Sequence, residues 1–71
     1  MFDGQHIRQI RRSLGLTQLE FSQKYKIPIG SLCNWEQERN APDATAVTLL
    51  YLISEAPDVV AEMLKNRPPI K

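Results

Sequence analysis

The chain has 71 residues, 42% of them hydrophobic and 24% charged, with nine basic against eight acidic side chains for a net charge of +1. That leaves room for one globular domain and no second, and is a weak charge balance for a nucleic-acid binder. A domain this small buries only about 60% of its unfolded surface, so self-association adds useful stability.

Asp3 is a good cap for a first helix, predicted over about 4–14. Ile7, Arg11 and Leu14 share a face of it; Ile7 and Leu14 are expected in the core, with Arg8 and Arg12 pointing out. Gly15 ends this helix, as glycine does just past a C-terminus. Thr17 opens the next one, and Glu20 stands three residues on, where it can reach back to complete a capping box. Phe21 and Tyr25 lie on one face. Pro28 lacks an N–H and pushes Ile27 out of helical geometry, which stops the helix.

A further short helix is predicted over about 28–37, with Leu32 and Trp35 facing inward. Helices this short cannot bury their apolar faces alone and must pack on their neighbours. The outward positions are then Ile29, Gly30, Ser31, Cys33, Asn34 and Gln37, none of them charged. A solvated face usually carries Lys and Glu. On pattern alone this one is either a plain surface of a small bundle or a helix that enters a DNA major groove.

Ala41-Pro42-Asp43 makes the next break, and Asp43 caps a helix over about 44–55. Its apolar stripe is Val47, Leu50, Tyr51 and Ile53-Ser54. Pro57, tolerated in a first turn, starts a last helix that runs to about Asn66. Val59, Val60, Met63 and Leu64 give it more apolar surface than a monomer needs. Val60 and Leu64 are assigned to the core, Val59 and Met63 to an interface. Residues 67–71, Arg67-Pro68-Pro69-Ile70-Lys71, are expected to trail as a flexible tail, leaving a domain over 3–66. Residues 1–40 hold six basic and four acidic side chains, and residues 41–71 three and four. A basic front and mildly acidic back fit a DNA face opposite an assembly face.

The stretch IRQIRRSLGLTQLEFSQKYKIPIGSLCNWEQERNAP resembles the helix-turn-helix of the phage-repressor and Cro (Xre) family. The matching landmarks are Arg11, Gly15-Leu16-Thr17-Gln18, Glu20-Phe21, Ile27, Leu32, Trp35-Glu36, Arg39 and Pro42. The continuation PDATAVTLLYLI resembles the branch found in HigA-type antitoxins and the DNA-binding half of MqsA-like antitoxins. The resemblance spans residues 6–55 and implies an all-α, compact five-helix bundle that binds DNA sequence-specifically, usually as a dimer. Three residues depart from the family pattern, and a fourth weakens the reading helix. Lys26 and Glu38 stand where glycine usually closes the turn and the recognition helix, Pro28 replaces the usual Ser or Thr cap, and Gly30 weakens the reading helix.

Carried over residue by residue, the resemblance implies base reading by Ile29, Gly30, Cys33 and Asn34, at spots suited to a thymine methyl for Ile29 and an adenine edge for Asn34. It implies DNA-backbone contacts by Arg11, Thr17, Gln18, Ser31 and Arg39, which fix register. It also implies a salt bridge between Arg11 and Glu36, against the plainer reading of Arg11 as a surface residue covering apolar neighbours with its stem. Gln18 is otherwise merely a good helix former, and Lys24, Lys26 and Arg39 solvating charges. Dimerisation falls to residues 44–66.

The partners implied are operator DNA, a second copy of the chain and a cognate toxin protein. The expected function is a repressor on an inverted-repeat operator, autoregulating as an antitoxin. The alternatives are a phage or plasmid-type repressor without a toxin, or a module whose main role is toxin neutralisation. Catalysis finds little foothold: His6 is the only histidine and has no cysteine cluster near it for zinc, and Cys33 has no base beside it in sequence. No enzyme activity, cofactor or metal is expected. A lone cysteine, no signal peptide and no run of ~20 apolar residues predict a cytoplasmic protein with no membrane partner.

Overall fold

Local chemistry sets most of the helix boundaries. The computed structural model describes residues 3–67 and holds five helices, α1 (Gly4–Ser13), α2 (Gln18–Lys24), α3 (Ile29–Glu36), α4 (Ala44–Glu55) and α5 (Pro57–Leu64). Three of them open on a side-chain cap. Asp3 Oδ1 accepts from the His6 N–H at 2.8 Å, and Asp43 Oδ1 from the Ala46 N–H at 2.8 Å. At α2 the box is reciprocal: Thr17 Oγ1 accepts from the Glu20 N–H at 3.1 Å, and Glu20 Oε1 from the Thr17 N–H at 2.9 Å. Each such cap contributes about 1 kcal/mol. Pro28 caps α3 without any side-chain bond, and Pro57 sits in the first turn of α5.

The first three helices close in one way. Gly15, Lys26 and Glu38 take left-handed backbone, with φ of 72°, 57° and 59°. Beyond each, an N–H reaches back five residues to a helix carbonyl: Leu16 to Arg11 at 3.3 Å, Ile27 to Ser22 at 2.9 Å and Arg39 to Asn34 at 2.9 Å. This pairing satisfies carbonyls that a helix end leaves bare. Glycine adopts the conformation freely at position 15. Lysine and glutamate do so at about 1 kcal/mol each, a cost the surrounding packing offsets.

All five helices feed one core. Ile7 and Ile10 come from α1, Phe21 from α2, Leu32 from α3, Leu50 and Ile53 from α4 and Val60 from α5, with Tyr25 and Ile27 between α2 and α3. The Phe21 and Tyr25 rings lie 4.9 Å apart, and the Tyr25 hydroxyl donates to the Pro57 carbonyl at 3.2 Å, tying α2 to the start of α5. Burial raises the Tyr25 pKa above its usual 10.0, and the negative charge of Asp58 adds to the rise.

The core differs from the sequence reading in detail. Ile10, outside the expected stripe, is buried, whereas Leu14, Trp35, Val47 and Leu64 are half-buried at the rim. Tyr51 lies outward: with Leu50 and Ile53 turned in, the helical period carries residue 51 past the edge of the buried face. The ends also tighten. Pro28 and Gln37 flank α3 as caps rather than lie within it, and α5 stops at Leu64, short of Asn66, whose φ is 68°. Residues 68–71 of the expected tail lie outside the described residues. Among the described residues no single helix is long and apolar enough to cross a membrane.

Candidate nucleic-acid interface

The segment from Thr17 to Glu36 forms two short helices around a tight left-handed turn at Lys26. Leu32 on α3 anchors inward and is fully buried. Around it, Ile29 and Gly30 are exposed, and Ser31, Cys33 and Asn34 half-exposed, on the side away from the core. No side chain on that surface of α3 is charged. Nothing lies within 4 Å of where a Cβ on Gly30 would stand, so the helix backbone is open to close approach there.

Behind this surface sits a buried carboxylate. Glu36, with 2% of its side chain exposed, accepts from Arg11 Nε at 2.8 Å and Arg11 Nη2 at 2.9 Å, a bidentate pair. Gln18 Nε2 donates to the same carboxylate at 3.1 Å, while Gln18 Oε1 accepts from the Cys33 thiol at 3.5 Å. Burial, the largest single influence on Glu36, pushes its pKa up. The hydrogen bonds from Arg11 and Gln18 and the charges of Arg11 and Arg8 outweigh it, so the carboxyl settles below its usual 4.5. The hydrogen bond to Glu36 likewise lifts the Arg11 pKa above its ordinary value, against the opposing effect of burial.

These contacts place each candidate. Arg11 has 12% of its side chain exposed, and its Nη1 donates to the Leu16 carbonyl at 3.0 Å. With all three nitrogens bonded inside the protein it braces α1, α3 and the intervening loop, and offers little to a phosphate. Gln18 stands in the first turn of α2, half-buried, with its amide joining Glu36 to Cys33 across α2 and α3. Thr17 spends its side-chain acceptor on the cap. Ser31 lies on the same side of α3 as the exposed positions, and Arg39 is exposed just past its end.

Arg8, expected to point out, is instead drawn to Glu36. Its Nη2 donates to the Glu36 backbone carbonyl at 2.6 Å, and its Nε lies 3.7 Å from the carboxylate. Its position one turn before Arg11 was the available signal, because a long flexible arm can cross to a neighbouring helix end. Val59 and Met63, 58% and 66% exposed, lie on α5, and Tyr51 and Leu52 are exposed on α4. Among the described residues no group of three or more His, Cys, Asp or Glu side chains could hold a metal ion.

Two short packed helices with a buried brace and an uncharged outer surface define a helix-turn-helix protein. Comparison with protein-family models finds no match, and comparison with the curated proteins finds none either. Among solved structures, a crystal structure of an HTH XRE-family-like protein from Agrobacterium tumefaciens is similar at 47% identity, covering 83% of this chain and 95% of that one, with a TM-score of 0.82. The chain belongs to the XRE family of helix-turn-helix proteins.

Proposed function

We propose that this is a DNA-binding transcriptional regulator, a repressor that occupies an inverted-repeat operator as a homodimer. The observation that carries it is the outer surface of α3: small, uncharged, free of core duties at Ile29 and Gly30, and held from behind by a buried ionic brace. Ile29, Gly30, Cys33 and Asn34 read base edges, with Ile29 suited to a thymine methyl and Asn34 to adenine. Gln18, Thr17, Ser31 and Arg39 meet the DNA backbone, aided by the free N–H groups and positive end of α2. Few positive charges mean few released counterions, so affinity falls only moderately with salt. The protein changes no covalent bond and acts in the cytoplasm.

Two copies would suit the spacing of major grooves on operator DNA. The described residues span 30 Å along their longest axis and carry one reading helix. Successive major grooves on one face of DNA are about 34 Å apart. The exposed Val59 and Met63 supply the seam, within the dimerisation region 44–66.

Residues 42–64 resemble antitoxin DNA-binding domains, which adds a cognate toxin as a protein partner; exposed Tyr51 and Leu52 provide apolar surface for it beyond the seam. A phage or plasmid-type repressor lacks that partner. Co-purification with the product of a neighbouring small-toxin gene separates the two.

Selection of bound duplexes from a random pool tests the main reading. The expected result is an inverted repeat with half-site centres about 10 base pairs apart, or a multiple of that. A pool that enriches for no sequence overturns it.

A further inference from the structure

On α1, Gly4, Arg8 and Arg11 recur four and three residues apart and form one stripe. All three meet the last turn of α3 or the residues just past it. A Cβ added to Gly4 would stand 2.5 Å from the Trp35 carbonyl oxygen, 2.8 Å from that of Glu36 and 2.8 Å from Cγ of Glu38. Two of these atoms are backbone and cannot step aside unless α3 moves. One turn along, Arg8 holds the Glu36 carbonyl at 2.6 Å. That carbonyl belongs to the C-terminal turn of α3, whose carbonyls lack internal donors and carry the negative pole of the helix dipole, so a guanidinium there answers both needs. Arg11, another turn along, grips the carboxylate of the same residue.

We propose that Gly4 and Arg8 are positioning residues for sequence reading: the absent side chain at 4 and the guanidinium fork at 8 set the height and tilt of α3 against α1, and so decide which base edges its outward side chains reach. The inference rests on the DNA-binding reading. Neither residue touches DNA; both act through α3. Widening the gap at Gly4 from 2.5 Å to the 3.4 Å of ordinary contact displaces the end of α3 by nearly an ångström. Base readout depends on hydrogen-bond geometry and fails at such a shift, since functional geometry must be held to within about 0.5 Å. Attraction to phosphates is longer-ranged and carries no sequence information, so it survives.

The test uses two variants of the full chain that keep the net charge, Gly4→Ala and Arg8→Lys. Probes are the duplex that the wild type selects from a random pool, its single-base variants and an unrelated duplex. In the wild type each wrong base pair weakens binding by about 5- to 150-fold. In Gly4→Ala that penalty should shrink to about threefold or less, and Arg8→Lys should fall between, while affinity for the unrelated duplex stays within about twofold. A merely destabilising change cannot do this, because an unfolded fraction scales every affinity equally.

Amide NMR spectra should show residues 29–34 displaced and α4 and α5 unmoved. If Gly4→Ala does not fold, Arg8→Lys carries the test, since the lysine keeps the charge and loses the fork. Wild-type discrimination in the folded variants, or an equal loss on all duplexes, overturns the inference alone. A wild type that selects no sequence overturns the DNA-binding reading and this inference with it.

Discussion

Replacing Glu36 with alanine removes the acceptor on which Arg11 Nε, Arg11 Nη2 and Gln18 Nε2 converge. Breaking a buried ion pair by deleting one partner costs about 3–5 kcal/mol, most of it from the charge left behind. Two features trim that figure here. Arg11 keeps its bond to the Leu16 carbonyl, and Arg8, with 37% of its side chain exposed, can turn to water. The expected loss is about 3 kcal/mol, against a total of about 4–11 kcal/mol for a chain of this length. The thermal midpoint should drop by about 12–24 °C. Urea titrations of wild type, Glu36→Ala, Arg11→Ala and the double variant give the assay. The double variant should cost less than the sum of the single ones, because it strands no charge. A loss below about 0.5 kcal/mol for Glu36→Ala is what an exposed pair gives, and would refute the brace.

The same carboxylate predicts an acid limb. Its folded pKa lies below the usual 4.5, so the unfolded chain binds the proton more readily; stability is fully present above pH 4.5, falls as the pH drops through the lower folded value, and Glu36→Gln should flatten that part of an acid titration. Asn34→Ala should relax preference at one base position by about 1–3 kcal/mol, whereas Gln18→Ala should weaken all duplexes alike, as isotherms on operator variants would show. Met63→Asp places an unpaired charge in the proposed seam and should give monomers by light scattering with the helical signal intact and operator affinity collapsed. Glu38→Gly relieves a left-handed glutamate and should stabilise by up to about 1 kcal/mol in a urea titration.

Much of the architecture was legible because it is encoded locally. Asp3, the Thr17–Glu20 box and Asp43 mark helix starts by hydrogen bonds that reach only three residues, and Gly15 and Pro28 mark stops through backbone sterics. The left-handed lysine and glutamate could be placed only by analogy with glycines at the same positions in relatives. What escaped depends on distant partners. Arg8 looks solvated on α1 alone; its acceptor is a carbonyl 28 residues away, exposed only because α3 ends there. Ile10, not assigned from the sequence, is buried, and Tyr51, placed in the apolar stripe, is exposed, because a helical stripe has soft edges and the neighbouring helices decide which edge is covered. Gln18 reads as a helix former, yet its amide links two residues brought together only by the packing of α2 on α3.

The open space beside Gly30 bears on how the protein changes over generations. Ile29 and Gly30 stand clear of the core, and no neighbour constrains the volume at position 30. An alanine there would even favour the helix by about 1 kcal/mol. Leu32 and Glu36, on the other side of the same helix, are sealed by packing and by the brace. Under the proposed base-reading role, preference for a binding sequence can therefore drift at positions 29 and 30 with no toll on folding, letting duplicated copies acquire new targets through single substitutions. Cys33, bound through its thiol to Gln18, is coupled to the scaffold, and a change there must be tolerated by both.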